Sequence, residues 1–407
     1  MLEQVAAGVS GGYLAVLQSL RRRATEGGLP IYLVGGPVRD ALLGVPVKDL
    51  DFVLIGDAPE LAEELASELG GAVTVHPRFG TATVEVQGDR VDMVTARKET
   101  YPHPGSLPVV SGSGLEDDLA RRDFSINAMA LPLAGDSAPV VDPHGGLQDL
   151  GDGLVRILHP QSFADDPTRM LRAVRYQVRL GFEIADSTQS DLIATLAEGH
   201  VSAVTGDRWR QDLEKIFQEQ RAAAMLSTAM ALGILPAIHP ALCDGSGLNR
   251  MADTEGLGPV DYLAALFMPL RSADGEAAAQ RLNLPIAWLR VVRDTIALKD
   301  LAPSLTGVNI APSAVCRSLD GLDTDAVAAS VRLVSDPEVA GRLRRYLDEW
   351  RLVVPALSGN DLLAMGVPAG PKVGETLQEL TATKLDGLVD TEGQERALVE
   401  RIISRGS

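Results

Sequence analysis

Cysteine is nearly absent from this 407-residue chain: only Cys243 and Cys316 occur. Their separation matches neither a disulfide framework nor a zinc site, so both read as small apolar residues of a core. The six histidines are scattered, without a His-Asp dipeptide or a His-x-x-x-His pair, which excludes a histidine-built metal centre. Any metal must then sit on carboxylates, which favours magnesium or manganese over zinc. No run approaches the roughly 18 consecutive apolar residues that a membrane-spanning helix requires. The first residues, with Gly11 and Gly12 followed by Arg21-Arg22-Arg23, lack the basic-then-apolar order of a secretory signal. A cytoplasmic protein without a membrane partner is expected. Positive charge is also short, since 37 Lys and Arg stand against 55 Asp and Glu, a net charge of −18. That excludes a protein that coats nucleic acid non-specifically. It leaves RNA open, because arginines cluster at Arg121-Arg122, along Arg169, Arg172, Arg175 and Arg179, and at Arg342, Arg344 and Arg345.

What is present is enough apolar residue, 45% of the chain, to bury several cores, and the length predicts two to four domains. The first third alternates strand-like and helix-like segments, whereas everything after about Pro160 reads as helix and turn. The fold class is therefore α+β, a small mixed sheet with helices followed by an all-α remainder. Residues 31–34 form a short apolar run that ends in Gly35-Gly36, and 38–43 have helical character. Residues 49–55 predict a second strand, and 81–97 a hairpin turning at Gln87-Gly88-Asp89. Amphipathic helices are expected at 167–180, 186–197, 208–217, 275–282 and 285–298. Ser358-Gly359-Asn360-Asp361 and Gly370-Pro371-Lys372 look like helix starts, and Arg21-Arg22-Arg23 like a solvated helix end. No low-complexity tract or repeat is present.

Three constellations can carry chemistry. Asp49 and Asp51 lie two apart on a strand and so share a face, while Leu50, Phe52 and Leu54 enter the core. Such a pair can hold two divalent cations, one to activate an attacking hydroxyl and one to stabilise a leaving pyrophosphate. In an acidic chain the same spacing also describes a solvated turn. Gly35 and Gly36, between strand and helix, allow close backbone approach, and the helix amides beside them can face a triphosphate, with Arg39 adding a charge-assisted contact. Asp92, on the second arm of the hairpin, is a third carboxylate or a surface residue. In the second constellation, Arg122, Asp123 and Asn127 can meet sugar and phosphates, with Asp123 and Asn127 four apart on one face if the segment is helical. In the third, Asp165-Asp166-Pro167-Thr168-Arg169 opens a helix with proline in its first turn. Asp166 and Arg169 either cap and pair locally or present an acceptor and a donor to a base. Cytosine and adenine each offer an amine beside a ring nitrogen, whereas guanine and uracil place a carbonyl where the amine would be. The pair would select CTP and ATP without a nucleic-acid template. Arg172 and Arg175 continue the stripe, either solvated or in contact with nucleotide or RNA phosphates.

Together, Leu-Val-Gly-Gly-Pro-Val-Arg-Asp-Ala-Leu-Leu-Gly from Leu33, Asp-Leu-Asp-Phe from Asp49, Arg-Arg-Asp-Phe-Ser-Ile-Asn-Ala-Met-Ala from Arg121 and Asp-Asp-Pro-Thr-Arg-Met-Leu-Arg from Asp165 resemble the class II tRNA nucleotidyltransferase and bacterial poly(A) polymerase family of the DNA polymerase beta superfamily. Gly206-Asp207-Arg208-Trp209 looks like its further neck motif. The resemblance implies a catalytic head at 1–134, a base-reading neck at 135–220, a helical body at 221–300 and a tRNA-binding tail at 301–407. It also implies two Mg2+ ions on Asp49 and Asp51, CTP and ATP as substrates, tRNA as partner, and CMP or AMP transfer to its 3′ end. Bacterial poly(A) polymerase is the nearest alternative, disfavoured by the lack of a Gly-Arg-Arg-Phe-type element. A noncatalytic RNA-binding relative is the alternative of another class. The Pro-, Gly- and Ser-rich stretch 99–116 corresponds to the family's head loop, and neither its subtype nor the oligomeric state is legible.

Overall fold

A computed structural model of the chain describes residues 1–77, 80–135, 138–251, 254–307 and 309–406. The chain divides into two compact units, one of Met1–Asp212 with Ala231–Ala237, the other of Leu213–Met230 with Ile238–Ser407.

The first unit is built on β1 (Ile31–Val34), β2 (Leu50–Leu54), β3 (Ala72–His76), β4 (Thr81–Val86), β5 (Asp89–Thr95), β6 (Arg97–Thr100), β7 (Val109–Gly112) and β8 (Ala130–Pro132). Six of these make one sheet in the order β3-β4-β5-β2-β1-β8, and β6 and β7 pair separately. Only β2 and β5 run parallel within the large sheet. Their register sets Asp51 opposite Asp92. The period of two sorts the side chains. Leu50, Phe52, Leu54, Val91 and Met93 pack with Val16, Leu17, Leu20, Leu61 and Leu65 in one core. Val53 joins Val34, Ala130, Leu115 and Leu119 in a second. Asp51 shares that second face. Phe52 is fully buried, so Phe52→Ala is expected to cost about 3–5 kcal/mol, read as a lower denaturant midpoint.

The hairpin turns where the sequence predicts. Gln87 and Gly88 both have positive φ, 54° and 88°, as a two-residue turn between twisted strands requires. Helix 58–69 starts on Asp57, whose carboxylate accepts the Glu60 N–H, and stops at Gly70 in the left-handed region. Arg22 and Arg23 both donate to Glu68 on that helix, Arg22 from an exposed position and Arg23 from a half-buried one, and this pairing drives the Glu68 carboxyl down to about 2.

Two sequence expectations shift. The stretch 99–116, expected as a loop rich in Pro, Gly and Ser, carries most of a β-ribbon of β6 and β7 with Arg97 opposite Gly112 and Thr100 opposite Val109. Cys243 is exposed rather than a core residue, whereas Cys316 is half-buried and packs against the core of Val315, Leu319 and Leu343. In the second unit, Ser358 and Asp361 form a capping box on helix Gly359–Ala364, and Gly370 precedes helix Pro371–Leu385, as the sequence predicts. The fully buried Glu395 accepts the N–H groups of Ala356 and Leu357 and an ion pair from Lys384. No helix among the described residues is long and apolar enough to cross a membrane.

Candidate active site

A cavity of about 380 Å³ in the first unit gathers Gly35, Gly36, Asp51, Arg122, Asp123, Asn127, Asp166, Arg169 and Arg172. Gly35 follows β1 and precedes helix Gly36–Leu42 with φ 75° and ψ −128°, a region open to glycine alone. A Cβ there would stand 2.7 Å from Nη1 of Arg122. Gly35→Ala is therefore expected to strain the turn by about 1–3 kcal/mol and to push Arg122 from its place. Steady-state kinetics should show a raised KM for nucleotide together with a lower kcat.

The arginines of the second constellation are set from below. Asp118 is fully buried and accepts from Arg121 three residues on and from Arg122 four residues on. Asp123 and Asn127 come together, with Asn127 Nδ2 donating to Asp123 Oδ1 at 3.0 Å. The segment is not an α-helix, however: Phe124 bridges to Ile157 and only Ser125–Asn127 form a 3-10 turn. Ser125 donates to Asp149 at 2.6 Å, and Arg156 also donates to Asp149. Arg39 departs from its expected place. It is 3% exposed, donates to Asp40 and to Asn127 Oδ1, and lies 5.1 Å from the Tyr176 ring. It orients Asn127 rather than lining the cavity. Arg175 likewise does not line it and lies over the Tyr176 ring.

At the other end, the Asp166 carboxylate is not paired with the Arg169 guanidinium. Its Oδ1 accepts from the Thr168 N–H and hydroxyl and from Arg208 at 2.8 Å, and its Oδ2 accepts from Arg172 at 3.2 Å. Arg169 donates to Ser162 Oγ at 2.6 Å and to the Arg121 carbonyl at 2.8 Å, while its buried Nε has no partner. The helix begins at Arg169 rather than at Pro167, because the Asp166 side chain closes the preceding turn. Burial alone would raise the carboxyls of Asp123 and Asp166. Arg172, with Asn127 and Arg169 for Asp123 and with Arg208 and Thr168 for Asp166, outweighs it and holds both below the usual carboxylate range. Arg172 sits between the two, 3.6 Å from Asp123.

The β2 carboxylates behave differently. Burial first, then Asp49, pushes Asp51 up to about 6, Asp92 adds to this, and Arg122 alone opposes it. Asp49 lies just before β2 and is exposed; Asp92 is exposed and accepts from Thr83. Among the described residues no group of three or more His, Cys, Asp or Glu is spaced to hold a metal ion. Two hard oxygen donors short of positive charge nevertheless fit Mg2+, which is commonly held by one or two carboxylates plus substrate phosphates.

Residues 31–156 match the poly(A) polymerase head-domain family. The chain is 32% identical over 391 residues to the A-adding tRNA nucleotidyltransferase of Halalkalibacterium halodurans, covering 94% of this chain and 91% of that one. It is 33% identical over 405 residues to the CC-adding tRNA nucleotidyltransferase of Deinococcus radiodurans, covering 97% and 95%. It spans about half, 47%, of the longer A-adding enzyme of Geobacter sulfurreducens, at 30% identity over 96% of its own length. A CCA-adding enzyme in an apo form superposes with a TM-score of 0.84 at 28% identity, over 99% of this chain and 98% of that one. The Thermotoga maritima CCA-adding enzyme complexed with tRNA does so with 0.78 at 28% identity, over 98% of each chain. This fold and site define a nucleotidyltransferase, a class of enzymes whose complexes with ATP and CTP imply dependence on a divalent metal. The chain belongs to the tRNA nucleotidyltransferase family.

Sequence reasoning missed Glu99, Tyr101, Tyr176 and Arg208 as cavity residues, and Asp118 beneath them. The helical spacing of Asp118 to Arg121 and Arg122 could have found the last. Glu99, which accepts from Arg97, Tyr101 and Arg121, carries no comparable local signal. Burial, with Glu99 adding and Arg169 opposing, pushes the Tyr101 hydroxyl up to about 12.

Proposed function

We propose that this enzyme adds CMP, AMP or both, from CTP and ATP, to the 3′ hydroxyl of tRNA without a nucleic-acid template. The observation that carries this reading is one cavity holding both a phosphate end, at Gly35, Gly36 and Arg122, and a base end, at Asp166 and Arg169. Glycine backbone and Arg122 receive the triphosphate. Asp123 and Asn127, locked to each other, receive the ribose hydroxyls. Oδ2 of Asp166 retains acceptor capacity for an amine, and Arg169, which lines the same cavity, is the proposed donor to the ring nitrogen beside it. Two Mg2+ ions, held by Asp49 and Asp51, would supply activation of the terminal hydroxyl and neutralisation of the departing pyrophosphate. The names of the relatives support tRNA as the acceptor. Under this reading 1–134 act as head, 135–220 as neck, 221–300 as body and 301–407 as tail. The cytoplasm, where nucleoside triphosphates and RNA ends meet, is the proposed compartment.

The test is an incorporation assay with Mg2+, CTP or ATP, and tRNAs ending before, within or after CCA. The expected products grow by a defined one to three nucleotides. Long homopolymers from ATP would identify a poly(A) polymerase, and no growth at all a noncatalytic RNA-binding relative.

A further inference from the structure

We propose that Arg172 is a positioning residue that couples sugar reading to base reading, so that a wrong base weakens the rejection of a wrong sugar. This rests on the reading of Asp166 as the base contact and of Asp123 as the ribose contact. The two carboxylates are held alike. Asp123 spends Oδ1 locally, accepting the Phe124 N–H at 2.9 Å and Asn127 Nδ2 at 3.0 Å. Asp166 spends Oδ1 on the Thr168 N–H, the Thr168 hydroxyl and Arg208. Each is left with Oδ2, and both remaining oxygens meet one guanidinium. Nη2 of Arg172 donates to Asp166 Oδ2 at 3.2 Å, and its Nε lies 3.6 Å from Asp123 Oδ2. All three side chains line the same cavity. Burial works against the charge of Arg172, but Asp123, then Asp166, Asp212 and Tyr176, outweigh it and hold the guanidinium protonated.

The two contacts are unequal. The one to Asp166 is a hydrogen bond, whereas 3.6 Å to Asp123 is an ion pair without one, and the buried Nε of Arg172 has no hydrogen-bond partner among the described residues. Any closing of the guanidinium on one carboxylate therefore draws it from the other. A base amine that donates to Asp166 Oδ2 shares that oxygen with Arg172 and fills its second lone pair. Arg172 then stays between the carboxylates and keeps Asp123 Oδ2 aimed at the ribose. A base carbonyl in the same place repels Oδ2, which turns to Arg172 as its remaining donor. The guanidinium follows, and the sugar-reading carboxylate loses the cation that orients it. The planar fork makes this transfer possible, because Nε and Nη2 point in fixed and different directions, which a lysine ammonium cannot reproduce.

The test measures kcat/KM for CTP, UTP, dCTP and dUTP on a tRNA lacking CCA, or for ATP, GTP, dATP and dGTP on one ending in CC, whichever the enzyme extends. In the wild type the penalty for dUTP should be smaller than the product of the UTP and dCTP penalties by about threefold or more, because contacts that share a partner do not act independently. In Arg172→Lys the two penalties should multiply to within about twofold. Asp123→Asn gives a second route without a change at Arg172. Although Asp123 does not touch the base, the freed guanidinium closes on Asp166, and the ratio of CTP over UTP should fall by about threefold or more. A residue that merely supports the fold would lower all four nucleotides alike and leave these ratios as they were. Penalties that multiply strictly in the wild type, a shortfall undiminished in Arg172→Lys, or an unchanged ratio of CTP over UTP in Asp123→Asn each overturn the proposal. If Arg172→Lys does not fold, the wild-type comparison and Asp123→Asn decide. The readings beneath fail differently. An unaltered ratio of CTP over UTP in Asp166→Asn rejects base reading by Asp166, and an unaltered ratio of CTP over dCTP in Asp123→Asn rejects ribose reading by Asp123, whereas altered ratios in both with strict multiplication in the wild type reject the coupling alone.

Discussion

Asp51→Ala and Asp49→Ala are each expected to abolish nucleotide incorporation, a fall of about a thousandfold or more, because such a site accelerates transfer chiefly by stabilising charge on the reacting oxygens. The fold should survive. Asp51 is a part-buried carboxylate beside Asp49 and Asp92, with Arg122 as its only opposing charge, so its side chain is held against its own preference in the cation-free protein. Asp51→Asn should unfold at a temperature no lower than the wild type in the presence of a chelator. Mg2+ with nucleotide should then raise the midpoint of the wild type and leave that of the variant nearly unmoved, since only the state that binds is stabilised. tRNA binding, measured separately by filter retention, should persist in all three. Full activity in both alanine variants would remove the carboxylate pair from the mechanism.

The same two aspartates illustrate what a sequence carries and what it does not. The burial of Leu50, Phe52 and Leu54 on one face of β2, with Asp51 on the other, follows from the period of a strand, whereas Asp49 lies just before that strand. The turn at Gln87-Gly88 and helix Asp186–Ala197 are legible for the same reason, since local chemistry decides them. Arg39 is not, because its neighbours in sequence, Gly35 and Gly36, face the cavity, whereas its own guanidinium is claimed by Asp40 and by Asn127 88 residues away. Arg208 shows itself in the sequence only as part of a helix motif, because its partners, Asp166 and the Gly105 carbonyl, are distant. Proline, glycine and serine hide the ribbon of β6 and β7, whose pairing is a property of two segments and not of either alone. Site residues that depend on one element can be found from sequence, and those that join elements cannot.

Selection of the base should be the most informative property to break. In Asp166→Asn, the amide presents a donor as well as an acceptor, so a carbonyl can be accommodated where only an amine fits the carboxylate. The ratio of kcat/KM for CTP over UTP should fall by about tenfold to a thousandfold, since a site built to hydrogen-bond one edge rejects the other through unpaired buried groups. Arg169→Ala should act differently. It strips a donor from the base and also leaves Ser162 Oγ and the Arg121 carbonyl without their partner, which costs about 1–3 kcal/mol each if they stay dry, so both stability and incorporation of all nucleotides should drop. The pH dependence has a definite sign. The guanidinium groups of Arg172 and Arg208 hold Asp166 below the usual carboxylate range despite its burial. Its acceptor role, and the stability it contributes, are complete above the unfolded carboxylate pKa and are lost only as pH falls through the depressed folded value. Preference for CTP and ATP should therefore stay constant from about pH 8 down to about pH 5, even where overall rates change. A preference that decays between those limits would mean that a group other than the Asp166 carboxylate reads the base.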